Sequence, residues 1–245
     1  MTSVRFVLHR PRNAQNIGAA ARALANTSAG ALWVVEPPGY DRGQAARLAA
    51  GADDVLEAMR VVRTLPEALE GCVDVVMTTG KPPADLPPPL DPEATARRLL
   101  AAPGPTAVVF GDEVRGLPNR VLRKAGAIAT IPTAAKSSLN LAQAVLVFAY
   151  EILLAGKAGV PLSGEDAARS YGPATEDAAP ADEGLLGRLR ERALTLLLPT
   201  GFLNPQQPDR VLDELLRLLR RAGPSRREVE LLLAAADQLA RAAKR

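Results

Sequence analysis

Short apolar runs alternate with helical patterns along the first half of the chain. The runs are Val4–Leu8, Leu32–Val35, Val73–Met77, Ala107–Phe110 and Ala127–Ile131. Small-residue or amphipathic segments separate them, and the first of these segments ends near Gly30. Apolar strands that alternate with helices predict an α/β fold, in which a parallel sheet carries helices on both faces.

Helix-start signals mark several of the intervening segments. Thr64 is followed by Glu67 at the spacing of a capping box, and Asp91 stands directly before Pro92, as an N-cap precedes a first helical residue. These signals support the alternation of strands with helices. Further short helices are predicted at Gln44–Ala50 and Pro118–Lys124.

The stretch Ser137–Tyr150 joins a polar start to an apolar run that continues through Leu154. Apolar residues surround the helix axis instead of forming one stripe, which predicts burial against both the sheet and a partner. Two interpretations of its start are open. It is either a core helix capped by Ser137 or Ser138, or a helix whose free N–H groups hold a polar ligand.

Polar stretches follow three of the predicted strands. They are Thr78–Lys81, Gly111–Glu113 and Pro132–Thr133. Because ligands on parallel sheets bind beyond the carboxyl ends of the strands, these stretches and the start of the Ser137–Tyr150 helix predict one polar rim. The chain has neither a P-loop nor a Gly-x-Gly-x-x-Gly motif, so an adenosine-containing ligand would be held in another way.

The composition changes after Ser163. Residues 163–184 contain six acidic residues and one arginine, whereas residues 185–245 contain twelve basic and seven acidic residues. We predict a main domain over residues 1–160, an acidic linker over 161–184 and a small all-helical domain over 185–245. The basic residues of this last domain either contact phosphates or lie on the solvent faces of its helices. Its three leucine-rich helices are predicted at Leu185–Leu198, at Val211–Arg221 and after Ser225, which has Glu228 at capping-box spacing.

Cysteine and histidine are nearly absent from the chain. Cys72 stands alone, which excludes an internal disulfide, and with His9 as the single histidine we expect no structural zinc site. No apolar run is judged to reach the roughly 18 residues of a membrane span. The amino terminus has no apolar signal-peptide region, so we expect a cytoplasmic protein without a membrane partner.

Three blocks of the sequence, in this order, resemble the TrmH-type SPOUT RNA 2′-O-methyltransferases, and most closely their TrmJ branch. The blocks are residues 16–23 (NIGAAARA), 109–119 (VFGDEVRGLPN) and 131–144, which contains Ser-Ser-Leu-Asn-Leu-Ala-Gln-Ala. The tail is also similar, with Thr200–Phe202 and the helix after Pro208. The sequence departs from the pattern at Ala134–Lys136, which is one residue short and lacks the usual tyrosine before the serine pair.

The resemblance implies a deep trefoil knot, in which Ile131–Asn140 passes through a loop near Thr78–Gly80 and Gly111. It also implies a homodimer with S-adenosylmethionine bound at the knot, S-adenosylhomocysteine as the product and no required metal. The cofactor-binding residues that it implies are Thr78, Thr79, Gly80, Gly111, Ile131, Ser138, Leu139 and Asn140. The catalytic residues are Arg22, Glu113, Ser138 and Asn140, and the substrate-binding residues are Arg22 and Lys81.

The activity implied by the resemblance is 2′-O-methylation of tRNA, at cytidine or uridine 32 of the anticodon loop. Arg22 matches the family's essential arginine. Because the pKa of a guanidinium lies above about 12, we expect Arg22 to hold the target phosphate and to stabilise charge on the 2′-oxygen, with phosphate or water taking the proton. Ser138 and Asn140 are expected to fix the cofactor and the hydroxyl, and Glu113 to brace Arg22 or its loop.

Other interpretations are open. Without the family resemblance, Arg22 could also be an ordinary surface arginine on a helix. The same chemistry fits ribosomal RNA or another tRNA position, because the cofactor motifs do not set the target. A non-catalytic RNA-binding or assembly factor is the third interpretation, and calorimetry with S-adenosylmethionine would distinguish it.

Overall fold

The computed structural model describes residues 4–38, 40–134, 139–158 and 179–242. The chain divides into two compact units, Met1–Pro161 and Leu162–Arg245. Most of the predicted acidic linker lies outside the described residues. Its last residues belong to a helix start, because the Asp182 side chain accepts a hydrogen bond from the Leu185 N–H at 2.8 Å.

The first unit contains one six-stranded parallel sheet, which confirms the predicted α/β class. Its strands are β1 (Val4–His9), β2 (Ala31–Val35), β3 (Arg60–Val62), β4 (Asp74–Thr78), β5 (Thr106–Phe110) and β6 (Ala127–Ala129). They lie in the order β3-β2-β1-β5-β4-β6. The sequence prediction omits β3, because this three-residue edge strand begins with two exposed residues and has no buried run.

Seven helices of the first unit are described. They are α1 (Ala14–Thr27), α2 (Arg42–Leu48), α3 (Asp53–Ala58), α4 (Leu65–Leu69), α5 (Pro92–Ala101), α6 (Asn119–Leu122) and α7 (Leu141–Ala158). The predicted caps are confirmed: Thr64 Oγ1 accepts from the Glu67 N–H at 3.3 Å, and Asp91 Oδ1 accepts from the Ala94 N–H at 2.7 Å. Helix α1 ends before Gly30, because Ser28 adopts a left-handed conformation with φ 50°.

Two apolar clusters pack against the two faces of the sheet. One contains residues of α1, α5 and α7, and the other contains residues of α4 and α6. Three buried phenylalanines connect the sheet to α7: the ring centroids of Phe6 and Phe110 are 6.2 Å apart, and those of Phe110 and Phe148 are 5.6 Å apart. These contacts anchor α7 to the centre of the sheet.

Helix α7 is apolar enough, over 18 residues with a mean hydropathy of 1.5, to pass a length-and-composition test for a membrane span. It is the one such helix among the residues described in the structure. The expectation that no apolar segment is long enough for a membrane span was therefore wrong. Core helices of soluble proteins pass the same test. Leu141, Val145 and Phe148 are buried against the rest of the unit, so α7 is a core helix in this fold.

The opposite side of α7 carries an exposed apolar stripe. Leu146, Tyr150 and Leu154 recur at every fourth position, and their exposed fractions are 44%, 51% and 42%. Residues at this spacing lie on one face of a helix. The sheet therefore covers only one side of α7, and the predicted partner on the other side stays a prediction.

The second unit contains the three predicted helices, α8 (Glu183–Leu197), α9 (Pro208–Ala222) and α10 (Arg226–Ala242). The predicted capping box is confirmed, because the Ser225 N–H donates to Glu228 Oε2 at 2.7 Å and the Glu228 N–H donates to Ser225 Oγ at 3.2 Å. A largely buried ion pair between Glu183 and Arg220, 2.7 Å apart, connects α8 to α9.

Candidate active site

The carboxyl ends of three neighbouring strands form the predicted polar rim. Strands β5, β4 and β6 lie side by side, so Gly111, Thr78–Gly80 and Ile131, which follow these strands, end at one edge of the sheet. The Thr79 N–H donates to the Ala129 carbonyl at 2.9 Å, which extends the pairing of β4 with β6 into this edge. Sheet topology thus brings together cofactor candidates that are far apart in the sequence.

A hydrogen-bonded relay of three side chains joins the three sequence blocks. Asn140 Nδ2 donates to Asn16 Oδ1 at 3.0 Å, and Asn16 Nδ2 donates to Glu113 Oε1 at 2.7 Å. Asn16 lies in the first turn of α1, Glu113 follows β5 and Asn140 precedes α7. The relay therefore fixes the start of two helices to one loop of the rim.

Asn140 also caps α7. Its Oδ1 accepts from the N–H groups of Ala142 at 2.9 Å and Gln143 at 3.4 Å. The interpretation of Ser137 or Ser138 as the N-cap was wrong, because α7 starts at Leu141 and Asn140 satisfies its first N–H groups. Ser138, the predicted catalytic and cofactor-binding residue, lies outside the described residues.

Glu113 binds the polar turn before α1. Its carboxylate accepts from the backbone N–H of Arg12 at 2.8 Å and of Asn13 at 3.2 Å, besides the Asn16 amide. Partial burial alone would raise the pKa of Glu113, but these hydrogen bonds outweigh it and lower the pKa below its ordinary value. Glu113 is therefore an ionised acceptor at neutral pH, and it holds the start of α1 in place.

The loop from Gly111 to Gly116 is tightly folded. A Cβ atom on Gly111 would lie 2.1 Å from the Gly116 carbonyl carbon, so no larger residue fits without a shift of the main chain. Asp112 Oδ1 accepts from the N–H groups of Val114 and Arg115, both at 2.8 Å. Gly116 closes the turn with φ +67°, a conformation that favours glycine. This loop presents Glu113 in a fixed orientation.

The threonines after β4 bond within the protein. Thr78 Oγ1 donates to the Val109 carbonyl at 3.0 Å, and Thr79 Oγ1 accepts from the Lys81 N–H at 3.2 Å. The Lys81 residue and Gly80 are exposed. This loop can therefore contact a ligand through its peptide groups and the Lys81 ammonium more readily than through the two threonine hydroxyls.

The segment after β4 passes around the end of β6. Strand β6 pairs with β4 on one side. On its other side, the Leu90 N–H donates to the Ile128 carbonyl and the Thr130 N–H donates to the Leu90 carbonyl, both at 2.9 Å. Residues 79–89 connect these two edges, so they form a loop around the carboxyl end of β6.

Arg22 lies on the exposed side of α1. It is six residues beyond Asn16, which is about 9 Å along the axis of an α-helix. Within the ranges that the structure describes, its guanidinium has no ion pair and no hydrogen bond, and the three-residue relay does not include it. The structure therefore leaves the Arg22 guanidinium exposed to solvent.

The comparison with known proteins decides the family. The model of the SpoU rRNA Methylase family matches residues 3–150, and a second model, of the tRNA methyltransferase TrmJ C-terminal domain, matches residues 191–245. The chain belongs to the SpoU rRNA Methylase family. This confirms the resemblance found in the sequence, and the second match confirms its TrmJ-like tail.

Two relatives and one solved structure extend this result. A tRNA (cytidine/uridine-2'-O-)-methyltransferase TrmJ from Cronobacter sakazakii is 37% identical over 95% of this chain and 94% of its own length. The tRNA (cytidine/uridine/adenosine-2'-O-)-methyltransferase TrmJ of Pseudomonas aeruginosa is 37% identical over 94% of this chain and 90% of its own. The crystal structure of TrmJ from Z. mobilis superposes with a TM-score of 0.80 and 28% identity, and covers 98% of this chain and 99% of the other.

Asn16 is the site residue that sequence reasoning missed in this SpoU methylase. It stands in the first block, but among small residues it looks like a helix-start residue. Its only sequence signal is that it is a polar side chain in the first turn of an otherwise small-residue helix. The contact with Glu113, 97 residues away, becomes visible only when β1 and β5 pair.

Proposed function

We propose that this protein is an S-adenosylmethionine-dependent tRNA 2′-O-methyltransferase that acts in the cytoplasm on the ribose of cytidine or uridine 32. The single observation that carries the tRNA substrate is the match of the tail to the TrmJ C-terminal domain, on top of a methylase first unit. The relatives named above act on tRNA by name, and they cover nearly the whole chain.

The rim residues suit S-adenosylmethionine. Ile131 is half-buried after β6, and Leu139 is 40% exposed directly before Asn140. Two apolar side chains of this kind suit the faces of an adenine ring, while the exposed main chain at Gly80 provides peptide donors and acceptors. We assign the cofactor to Thr78–Gly80, Gly111, Ile131, Leu139, Asn140 and Ser138, with much of the contact from backbone groups.

The bound cofactor supplies a sulfonium methyl group, which is already an activated electrophile. Alignment is then the main demand on the protein. Arg22 holds the target phosphate and stabilises negative charge on the 2′-oxygen, since its guanidinium remains protonated and is no base. The Oδ1 atom of Asn140 is occupied by the N–H groups at the start of α7. Asn140 therefore orients the cofactor or the hydroxyl with its remaining N–H, and it is not the acceptor of the hydroxyl proton. Glu113 holds the turn before α1 in position.

The knot belongs to the same proposal. A chain that leaves β6 inside the loop formed by residues 79–89 and continues to α7 would be threaded through that loop. The pairing of Leu90 with the outer edge of β6 supports this path. Residues 135–138, on the predicted threaded segment, lie outside the described residues, so the knot stays a prediction.

The homodimer explains the exposed side of α7. A row of large apolar side chains on a soluble protein marks an interaction site when it is contiguous. Leu146, Tyr150 and Leu154 form such a row. A second copy of the chain that covers this row would bring a second α1 and its unpaired Arg22 to the region, which agrees with a site built from both subunits.

The experiment is methyl transfer from tritiated S-adenosylmethionine to purified tRNA, followed by mass spectrometry of the product. The parent protein is expected to place one methyl group on the ribose at position 32. Arg22→Ala should lower the turnover at least a hundredfold, whereas Arg47→Ala, at another exposed arginine, should retain it. A methyl group at another position would disprove the target. Transfer by Arg22→Ala within threefold of the parent would disprove the role of Arg22.

A further inference from the structure

The loop that presents Glu113 also presents its two following residues to solvent. Val114 is 73% exposed, the largest exposed fraction of any large hydrophobic residue that the structure describes. Arg115 is exposed beside it. We call Val114 and Arg115 the loop tip. Glu113 lies in the relay with Asn16, so the tip stands one residue from the candidate active site.

The tip is rigid despite its exposure. Asp112 Oδ1 binds the N–H groups of both Val114 and Arg115 at 2.8 Å, and the Gly116 N–H donates to the Asp112 carbonyl at 3.0 Å. Arg12 adds an ion pair to the Asp112 carboxylate at 3.3 Å. Because Val114 stays in water, it gains little hydrophobic free energy on folding, and this free energy remains available to a contact from outside the chain.

The Arg115 guanidinium makes neither an ion pair nor a hydrogen bond in the described part of the chain. Its backbone N–H bonds Asp112, and its charge also acts on the Asp112 carboxylate and helps to lower the pKa of that group. The turn fixes the backbone from which the side chain projects, so binding of an external ligand costs only the side chain's own rotamer freedom. An arginine in this state favours a phosphate, which its planar fork binds with two hydrogen bonds.

The surroundings of the tip are rich in arginine. Arg10 and Arg12 lie on the turn after β1, with exposed side-chain fractions of 54% and 47%. Arg120, in α6, is exposed as well. Burial first, and then the neighbouring charges of Arg10 and Arg120, lower the pKa of His9 at the end of β1, while Glu36 and Asp112 raise it. Arg10 is paired with Glu36 and Arg12 with Asp112, whereas Arg115 and Arg120 form no ion pair within the described residues. These two unpaired cations complement a polyanion better than they complement an apolar protein surface.

We propose that the loop tip binds the RNA strand next to the methylated nucleotide, with Arg115 on a backbone phosphate and Val114 against the adjoining ribose or base. This inference rests on the proposed function, because it takes RNA as the substrate of the site. Phosphate contacts fix the register of a nucleic acid on a protein. The tip therefore selects which ribose of a loop reaches the relay, and it acts on substrate positioning and not on the transferred group.

The test compares Arg115→Gln and Val114→Ser with two matched surface variants, Arg47→Gln and Val61→Ser. Arg47 is exposed and Val61 is 51% exposed on the edge strand β3. Steady-state methyl transfer to tRNA and tRNA binding between 50 and about 300 mM salt are measured on the full chain. We expect Arg115→Gln to raise the KM for tRNA about tenfold with kcat within about twofold, and to reduce the salt slope by about one. Val114→Ser should raise the KM about threefold.

Two further measurements separate an effect on RNA binding from an effect on the cofactor site or on folding. Calorimetric binding of S-adenosylmethionine should be the same for all variants, and Arg115→Lys should restore the salt slope. The inference is overturned if the tip variants behave like Arg47→Gln and Val61→Ser, or if they shift the protein toward monomer without a change in the KM for tRNA. If the parent protein itself transfers no methyl group to tRNA, the proposed function fails, and the inference falls with it.

Discussion

The carboxamide of Asn140 donates a hydrogen bond to the carboxamide of Asn16 at 3.0 Å, across 124 residues of sequence. Each residue stands at the start of a helix, Asn16 in α1 and Asn140 before α7. The bond therefore couples the two helix starts on either side of the rim. Any shift of α1 against α7 would change the geometry at which Asn140 faces the proposed cofactor.

Substitution of Asn16 should reduce turnover more than stability. Asn16→Ala removes the bonds to Glu113 and Asn140, which are each worth about 1 kcal/mol of net stability, but the groups released can reach water. Loss of positioning at the rim should lower kcat about ten- to a hundredfold. Steady-state methyl transfer and thermal unfolding measure the two effects.

The neighbouring exposed residue provides the control for Asn16. Gln15→Ala alters a side chain of α1 that has no hydrogen-bond partner among the residues seen in the structure, and it should leave kcat within about twofold. A fall in kcat of equal size for both variants would show that α1 tolerates no substitution there, and that the relay has no special role.

Glu113 should make the first unit more stable at neutral pH than in acid. Its folded-state pKa is lowered, so the carboxylate contributes to the free energy of unfolding above the ordinary value of 4.5, and this contribution is lost as the pH falls through the lower folded value. Glu113→Gln removes the titrating group. The stability difference between parent and variant should therefore be largest near neutral pH and shrink toward pH ~3.

Chemical unfolding at a series of pH values measures this difference. Glu57→Gln is the control, because Glu57 is exposed and forms a surface ion pair with the exposed Arg42 at 3.7 Å. Its stability difference should stay small at every pH. A Glu113→Gln difference that grows as the pH falls would contradict the assignment of Glu113 as an ionised acceptor.

Gly18 and Gly156, two of the helical glycines, should respond oppositely to alanine. A Cβ on Gly18 would lie 1.9 Å from the Ala45 carbonyl oxygen, so Gly18→Ala must push α1 away from α2. A Cβ on Gly156 meets nothing within 4 Å. We expect Gly18→Ala to destabilise the unit by about 2 kcal/mol or more, and Gly156→Ala to stabilise α7 by about 0.5 kcal/mol. Denaturant unfolding of both variants tests this, and equal effects would contradict the close helix contact.

The sequence predicts the strands and caps that have local signals. Apolar runs identify β1, β2, β4, β5 and β6. Thr64, Asp91 and Ser225 cap helices as expected, because a cap depends on residues within one turn. Arg60–Val62 carries no such run, since an edge strand buries little, so β3 is missed. The start of α7 is misplaced because Ser137, Ser138 and Asn140 lie within four residues and all suit a cap, and the prediction considered only the two serines.

The sequence predicts which blocks of residues form the candidate site, but it does not predict which of these residues contact one another. Family resemblance identifies Glu113 and Asn140 as site residues, yet nothing local in the sequence says that Asn16 joins them. That relation depends on the strand order, which places the end of β5 next to the end of β1. Sequence reasoning expects Glu113 to brace Arg22 or its loop. In the structure the Glu113 carboxylate accepts from the backbone N–H groups before α1, the helix that carries Arg22, and no bond to the Arg22 guanidinium is seen among the described residues. Roles that depend on long-range packing therefore need the fold.

A charge on the exposed stripe of α7 should separate the subunits and abolish activity together. Leu146 is 44% exposed on α7, and Leu48 is equally exposed, at 44%, on α2. In a dimer that covers the stripe, Leu146→Asp buries an unpaired carboxylate, which costs several kcal/mol, whereas Leu48→Asp leaves its carboxylate in water. Analytical ultracentrifugation should show Leu146→Asp as a monomer whose methyl transfer is lost, while Leu48→Asp remains dimeric and active. A monomeric variant with full activity would show that one subunit suffices for catalysis, and Arg22 would then have to act within its own chain.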